Sequence, residues 1–103
     1  RKPAAIEVPF ESVIAGVLVR GRIDAVYETP DGFEVVDWKT GSKQLGASAA
    51  IQLAMYRLAW ARLKSIDVSK VSAAFHYVPT SVTDKRADLL DEAALVGLIQ
   101  SLQ

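Results

Sequence analysis

Cysteine is absent from the 103 residues, which excludes disulfides, thiolate metal sites and iron–sulfur ligands within this stretch and suits a cytoplasmic protein. Also missing is any apolar run approaching the roughly 20 residues of a membrane span, and no signal-peptide pattern opens the chain. Neither sign of charge dominates. Twelve basic and twelve acidic residues cancel, whereas a nucleic-acid-binding domain of this size is more often basic overall. Contact with such a polymer would have to come from a local patch or from residues outside this stretch. Internal repeats, low-complexity tracts and an interdomain linker are lacking as well, leaving at most one domain near the small end of the usual range. RKPAAIEV opens without an initiator methionine, and the expectation is a fragment of a longer chain. What remains is ordinary globular composition, 50% apolar and 23% charged.

IEVPFESVIAGVLVRGRIDAVYE is dense in Val, Ile, Phe and Tyr with loose alternation, and predicts two strands, about 5–14 and 17–28, turning at Ala15-Gly16. TPDG at 29–32 is a turn signal, with Pro30 presetting φ and Gly32 open to φ > 0. A third strand over 33–39 follows and ends at Thr40-Gly41. After the polar, glycine-flanked loop GSKQLGAS, the stretch SAAIQLAMYRLAWARLKS holds neither Gly nor Pro and is rich in helix formers. It is apolar on more than one side: Ile51, Met55, Leu58 and Ala59 on one, Leu53, Trp60 and Leu63 around it. Such a helix is expected to lie between a sheet and a second layer. VSAAFHYVP (71–79) predicts a fourth strand closed by Pro79. DLLDEAALVGLIQSLQ predicts a last helix with Asp91 as N-cap and Leu95, Leu98, Ile99 and Leu102 at helical spacing. The order is βββαβα, a mixed α/β (α+β) fold with its main helix on one face of a mixed sheet.

The stretch VVDWKTG (35–41) sets an acid and an amine two residues apart at the end of an apolar strand. Strand alternation places Phe33, Val35, Asp37 and Lys39 on one face. If Pro30 and Asp31 form a two-residue loop, residues whose numbers sum to 61 are opposite each other, and Asp24 faces Asp37, with Cβ atoms about 4.5–5.5 Å apart. A one-residue bulge at the turn would instead move Asp24 to the face of Trp38. Like charges directly opposite destabilise a sheet, and a divalent cation is one reason to keep them: two carboxylates on adjacent strands can ligate Mg²⁺ or Mn²⁺. Lys39 beside them could orient or deprotonate a water, or stabilise charge developing on a phosphate. Together these groups suit metal-assisted phosphodiester hydrolysis. Gln52 and Tyr56, at i and i+4, interrupt an apolar helix with two hydrogen-bonding groups on one face.

Each piece also has a plain structural reading. Asp24 could pair with Arg20, Arg22 or Lys39 on a wet sheet face, and Gln52 and Tyr56 could be a polar helix margin. His76, between Phe75 and Tyr77, reads as a structural histidine. Arg57, Arg62 and Lys64 read as a solvated helix face or as phosphate contacts.

GRIDAVYETPDGFEVVDWKTG followed by QLAMYRLAWA resembles the RecB-type nuclease domain of the PD-(D/E)XK superfamily, found in the RecB, AddAB and AdnAB helicase–nucleases and in Cas4-like proteins. The family's GxxD motif corresponds to Gly21 through Asp24, its D-x-K motif to Asp37-Trp38-Lys39 and its QxxxY motif to Gln52 through Tyr56; the likeness covers roughly residues 5–80. It implies a restriction-endonuclease-like core and one or two Mg²⁺ or Mn²⁺ ions held by Asp24, Asp37 and the main-chain carbonyl of Trp38. It further implies Lys39 as the catalytic lysine, with Gln52 and Tyr56 next to the site and the DNA. The implied activity is a DNase acting on DNA, single-stranded in this setting, as the nuclease part of a UvrD- or RecB-like, ATP-driven helicase for double-strand break repair in the bacterial cytoplasm. Two rivals stay open: a non-catalytic, DNA-guiding or structural module of such a complex, and a stand-alone Cas4-like nuclease. Two family features have no counterpart here. Nothing before Ile6 supplies the histidine ligand that usually precedes the first strand, and the four-cysteine cluster of many relatives cannot form.

Overall fold

The computed structural model describes residues 2–41, 46–86 and 89–101. Strands β1 (Ala5–Ile14), β2 (Val17–Thr29) and β3 (Gly32–Lys39) lead to helix α1 (Ala47–Lys64). A 3-10 turn at Val68–Lys70, strands β4 (Val71–Tyr77) and β5 (Val82–Arg86), and helix α2 (Glu92–Ser101) complete the order. The strands form one sheet in sequence order, antiparallel except where β3 meets β4 in parallel. A parallel neighbour requires a long crossover, and α1 supplies it.

The first hairpin turns where two successive residues take positive φ, Ala15 at 52° and Gly16 at 79°. That pattern matches the twist of paired strands and suits a two-residue loop. β4 stops at Tyr77, two residues before the expected Pro79, because Val78–Ser81 form the next turn, with Ser81 N–H donating to the Val78 carbonyl at 3.3 Å. That turn introduces β5, an element beyond the βββαβα expectation. VTDKR offers no apolar alternation to read, since it is a mostly exposed edge strand whose charges suit an open edge. Of the expected loop 41–48, residues 42–45 lie outside the described residues, as does Leu102 of the last helix. Asp91 caps α2 as its sequence implies: its Oδ1 accepts from Ala94 N–H at 2.8 Å.

α1 has no single apolar stripe because it is buried on two sides. Leu53, Tyr56, Trp60 and Ala61 pack on the sheet with Ile23, Val26, Val35 and Phe75. Ala54 and Leu58, flanked by Ile51 and Met55, meet Ile14 and the α2 residues Leu95 and Ile99. Leu63 departs from expectation and is exposed. So do two basic residues assigned to a solvated face. Arg57 donates to the carbonyls of Val71 and Val68, the latter at 2.9 Å, tying α1 to the entry of β4. Arg62 reaches Ser12 Oγ at 2.9 Å, the Val13 carbonyl at 2.7 Å and Glu92 Oε1 at 2.6 Å, joining β1, α1 and α2. Lys64 lies over the Trp60 ring at 5.0 Å. His76 is structural as read, its Nδ1 hydrogen-bonded to Thr83 Oγ1 at 2.9 Å.

Candidate active site

The register on which the acid pair depends is present: Thr29 faces Gly32, Tyr27 faces Glu34 and Ala25 faces Val36. No bulge slips it, because Gly16 is the glycine with positive φ and Gly32 is not. Gly32 is needed for clearance instead. A Cβ at that position would stand 2.0 Å from the Lys70 carbonyl oxygen, where the chain enters β4.

Beyond Ala25 the β2–β3 ladder opens. β1 and β2 keep one register on either side of this point, with Ile6 opposite Ala25 and Val8 opposite Ile23. Yet Ile23 and Val26 both face the core, so alternation in β2 shifts by one across Asp24. Across from it, Glu7 takes φ 47°, an uncommon conformation for a residue with a side chain. The Trp38 N–H, which regular pairing would direct at a β2 carbonyl, donates to Asp24 Oδ2 at 2.8 Å. Asp24 thus replaces part of the ladder with its own carboxylate where the strands part. A strand residue aims its N–H and C=O at the same neighbour, so the Trp38 carbonyl is turned toward β2 and Asp24.

Asp37 follows the buried run Val35-Val36 and is 7% exposed. Lys39 Nζ lies 2.9 Å from its Oδ2 and 5.9 Å from the centre of the Phe75 ring. Burial, and next the hydrogen-bonded Asp24 carboxyl, push Asp37 above its ordinary 3.8, against the downward pull of Lys39. Tyr56 completes the cluster. Burial, then the charges of Asp37 and Asp24, raise its hydroxyl above the ordinary 10.0, which keeps it a proton donor at neutral pH.

The structure therefore gathers Asp24, Asp37, Lys39 and Tyr56. Gln52 sits one turn earlier on α1 and is exposed; among the described residues no hydrogen bond joins it to the acids. Gly21 and Phe10 belong to the site's support. A Cβ on Gly21 would come 2.8 Å from the Phe10 ring and 3.0 Å from the Tyr56 ring, and these rings meet edge to face at 5.5 Å. The bare glycine lets Tyr56 settle against β2. Its position three residues before Asp24 was visible in the sequence, but Phe10, distant in the chain, carried no signal.

Oxygen donors on two converging carboxylates and a nearby carbonyl fit a hard divalent cation such as Mg²⁺ or Mn²⁺. Burial first, and then the adjoining Asp24 carboxyl, raise Asp37, and such an ion would offset both. Among the described residues no third His, Cys, Asp or Glu joins the pair to make a group of three.

The sequence profile of the PD-(D/E)XK nuclease superfamily matches residues 1–99. The Gene 69 protein of Mycobacterium phage D29 is 38% identical over 71 residues, 69% of this chain and 25% of that protein. The match thus spans about a quarter of that relative's length. The crystal structure of SSO0001 has a similar fold, with a TM-score of 0.58 and 21% identity over 94% of this chain and 48% of that one. The mixed five-stranded sheet with two helices agrees with a restriction-endonuclease-like α+β core.

Proposed function

This chain belongs to the PD-(D/E)XK nuclease superfamily, and from that premise we propose that it hydrolyses DNA phosphodiesters at Asp24, Asp37 and Lys39. The observation that carries the reading is the convergence of two carboxylates and an ammonium where the β2–β3 ladder opens.

Asp24, Asp37 and the Trp38 carbonyl would hold the Mg²⁺ or Mn²⁺. When bound, the ion supplies Lewis-acid stabilisation of charge on the phosphate. Lys39, held at 2.9 Å by Asp37, offers N–H donors to a phosphate oxygen or to the attacking water. Asp24 steadies the Trp38 main chain by accepting its N–H. The Tyr56 hydroxyl, kept protonated, orients the acids from the helix side, and Gln52 offers an exposed amide to the DNA strand. Water adds to phosphorus as the bond to the 3′ oxygen breaks, leaving a 5′-phosphate and a 3′-hydroxyl. In this reading the single domain, 1–103, is the nuclease part of a longer bacterial helicase–nuclease that works in double-strand break repair. An ATP-driven motor in the same chain, and a partner subunit where one exists, would feed it single-stranded DNA. No described helix is long and apolar enough to cross a membrane.

The test is degradation of single-stranded DNA by the full-length protein with Mn²⁺ or Mg²⁺, beside Asp37→Ala and Lys39→Ala variants. Each variant is expected to lose roughly a hundredfold or more in rate. Equal cleavage by all three would sink the site. DNA binding without metal-dependent cleavage by the parent would support the non-catalytic module instead, and cleavage by a protein without a motor domain the Cas4-like one.

A further inference from the structure

Glu7 and Asp24 form the odd step of the β1–β2 ladder. Ala5 pairs with Val26 and Val8 with Ile23, and all of these side chains lie against the core. Core-facing residues of a strand are normally two apart, yet in both strands these are three apart, and at the same place. Pairing does not fray there. Ile6 stays opposite Ala25, and Ala4 N–H still donates to the Val26 carbonyl at 2.6 Å. Each strand therefore turns over within one residue. In β1 that residue is Glu7, whose φ of 47° lies in the left-handed region that a Cβ disfavours. Its side chain is exposed, and among the described residues no hydrogen bond or ion pair holds it. The conformation is thus set by the path of the backbone and not by a contact of the carboxylate.

We infer that Glu7 is a positioning residue: its left-handed backbone lets β1 follow the turn in β2 that swings the Asp24 carboxylate out of the ladder and onto the Trp38 N–H. Because Ile23 faces the core, unbroken alternation would send Asp24 to the far face, away from Asp37. The turn instead brings its Oδ2 within 2.8 Å of the Trp38 nitrogen. β2 does not turn alone, since β1 is paired with it on either side of the break. β1 must turn over as well, and it does so at the residue facing Asp24. What Asp24 then does, holding Mg²⁺ or Mn²⁺, rests on the nuclease reading; its orientation does not.

The test compares Glu7→Gly, Glu7→Asn and Glu7→Val in the full chain by thermal melting, by the Trp38 amide proton in NMR and by calorimetric titration with Mn²⁺. Glycine inside a strand ordinarily destabilises. At position 7 it should leave the melting temperature unchanged or raise it by up to about 4 °C. Asparagine, which tolerates the left-handed region, should behave like the parent. Valine, branched at Cβ, is expected to lower the melting temperature by about 4–8 °C. It should also move the Trp38 amide resonance toward its position in Asp24→Ala and weaken Mn²⁺ binding about tenfold or more. An unmoved Trp38 amide in folded Glu7→Val would overturn the inference. Should valine prevent folding, the other variants decide: a lowered melting temperature in Glu7→Gly, or a shifted Trp38 amide in Glu7→Gly or Glu7→Asn, would overturn it. Loss of Mn²⁺ affinity in all three variants would do the same, by making the Glu7 carboxylate itself a ligand. A parent that binds no Mn²⁺ would sink the metal reading instead, and the Trp38 amide would still decide the role of Glu7.

Discussion

Two acids held together on neighbouring strands repel, and the surrounding residues limit that cost: Lys39 pairs with Asp37 and the Trp38 N–H engages Asp24. Burial, and next the Asp24 carboxyl hydrogen-bonded to it, still leave the Asp37 carboxyl raised. A carboxyl raised in the folded state binds more protons folded than unfolded. Its contribution therefore favours folding at acidic pH and fades as pH climbs from 3.8 toward the raised value. Urea denaturation across about pH 4–7 should show Asp37→Asn with a flatter decline than the parent, because the titrating group is gone. Asp24→Asn keeps an oxygen for the Trp38 N–H while removing one of the like charges. Its metal-free stability should match the parent or exceed it by up to about 1 kcal/mol, and added Mg²⁺ should no longer raise its melting temperature. Gly21→Ala acts in the opposite sense, forcing a methyl into the Phe10 and Tyr56 rings, and should cost about 1–3 kcal/mol by thermal or chemical melting.

Among the elements, α1 is the one on which the others depend. Its arginines act as clasps rather than a charged surface, and Arg57 holds the carbonyls of Val68 and Val71 at the entry of β4. Arg57→Ala should destabilise by about 1–3 kcal/mol, through carbonyls left without a charged donor, as read by chemical melting. The two apolar sides of the helix were legible in its composition, and so was the layer beyond it. β5 was not, because edge strands bury too little to impose a pattern. The roles of Arg57 and Arg62 were also illegible, since a cation on a helix face reads the same whether solvated or reaching across to carbonyls and an acid distant in sequence.

For the whole molecule, zero net charge places a bound on how DNA is held. Arg57, Arg62 and Arg86, three of the twelve basic residues, are engaged internally or beside an acid. The affinity of the isolated chain for single-stranded DNA should fall only shallowly with salt, at roughly 0.7 per phosphate contact and no steeper than about three contacts. Fluorescence anisotropy against salt concentration reads that slope directly, and a steep one would show a basic path not evident in the charge count. Neutrality fits a domain that receives its strand from elsewhere, as the proposed helicase partnership supplies.

Much was decided by local sequence alone. The first three strands, both helices and the hairpin register follow from side-chain patterning and turn chemistry, because backbone preferences and alternation act over a few residues. The D-W-K segment and Gly21 were visible for the same reason. Tertiary structure decided what those residues do to one another. The break in alternation at Asp24, the capture of the Trp38 N–H by its carboxylate and the burial that raises Asp37 exist only once three strands and α1 are assembled, since hydrogen-bond competition and desolvation are set by neighbours far away in the chain.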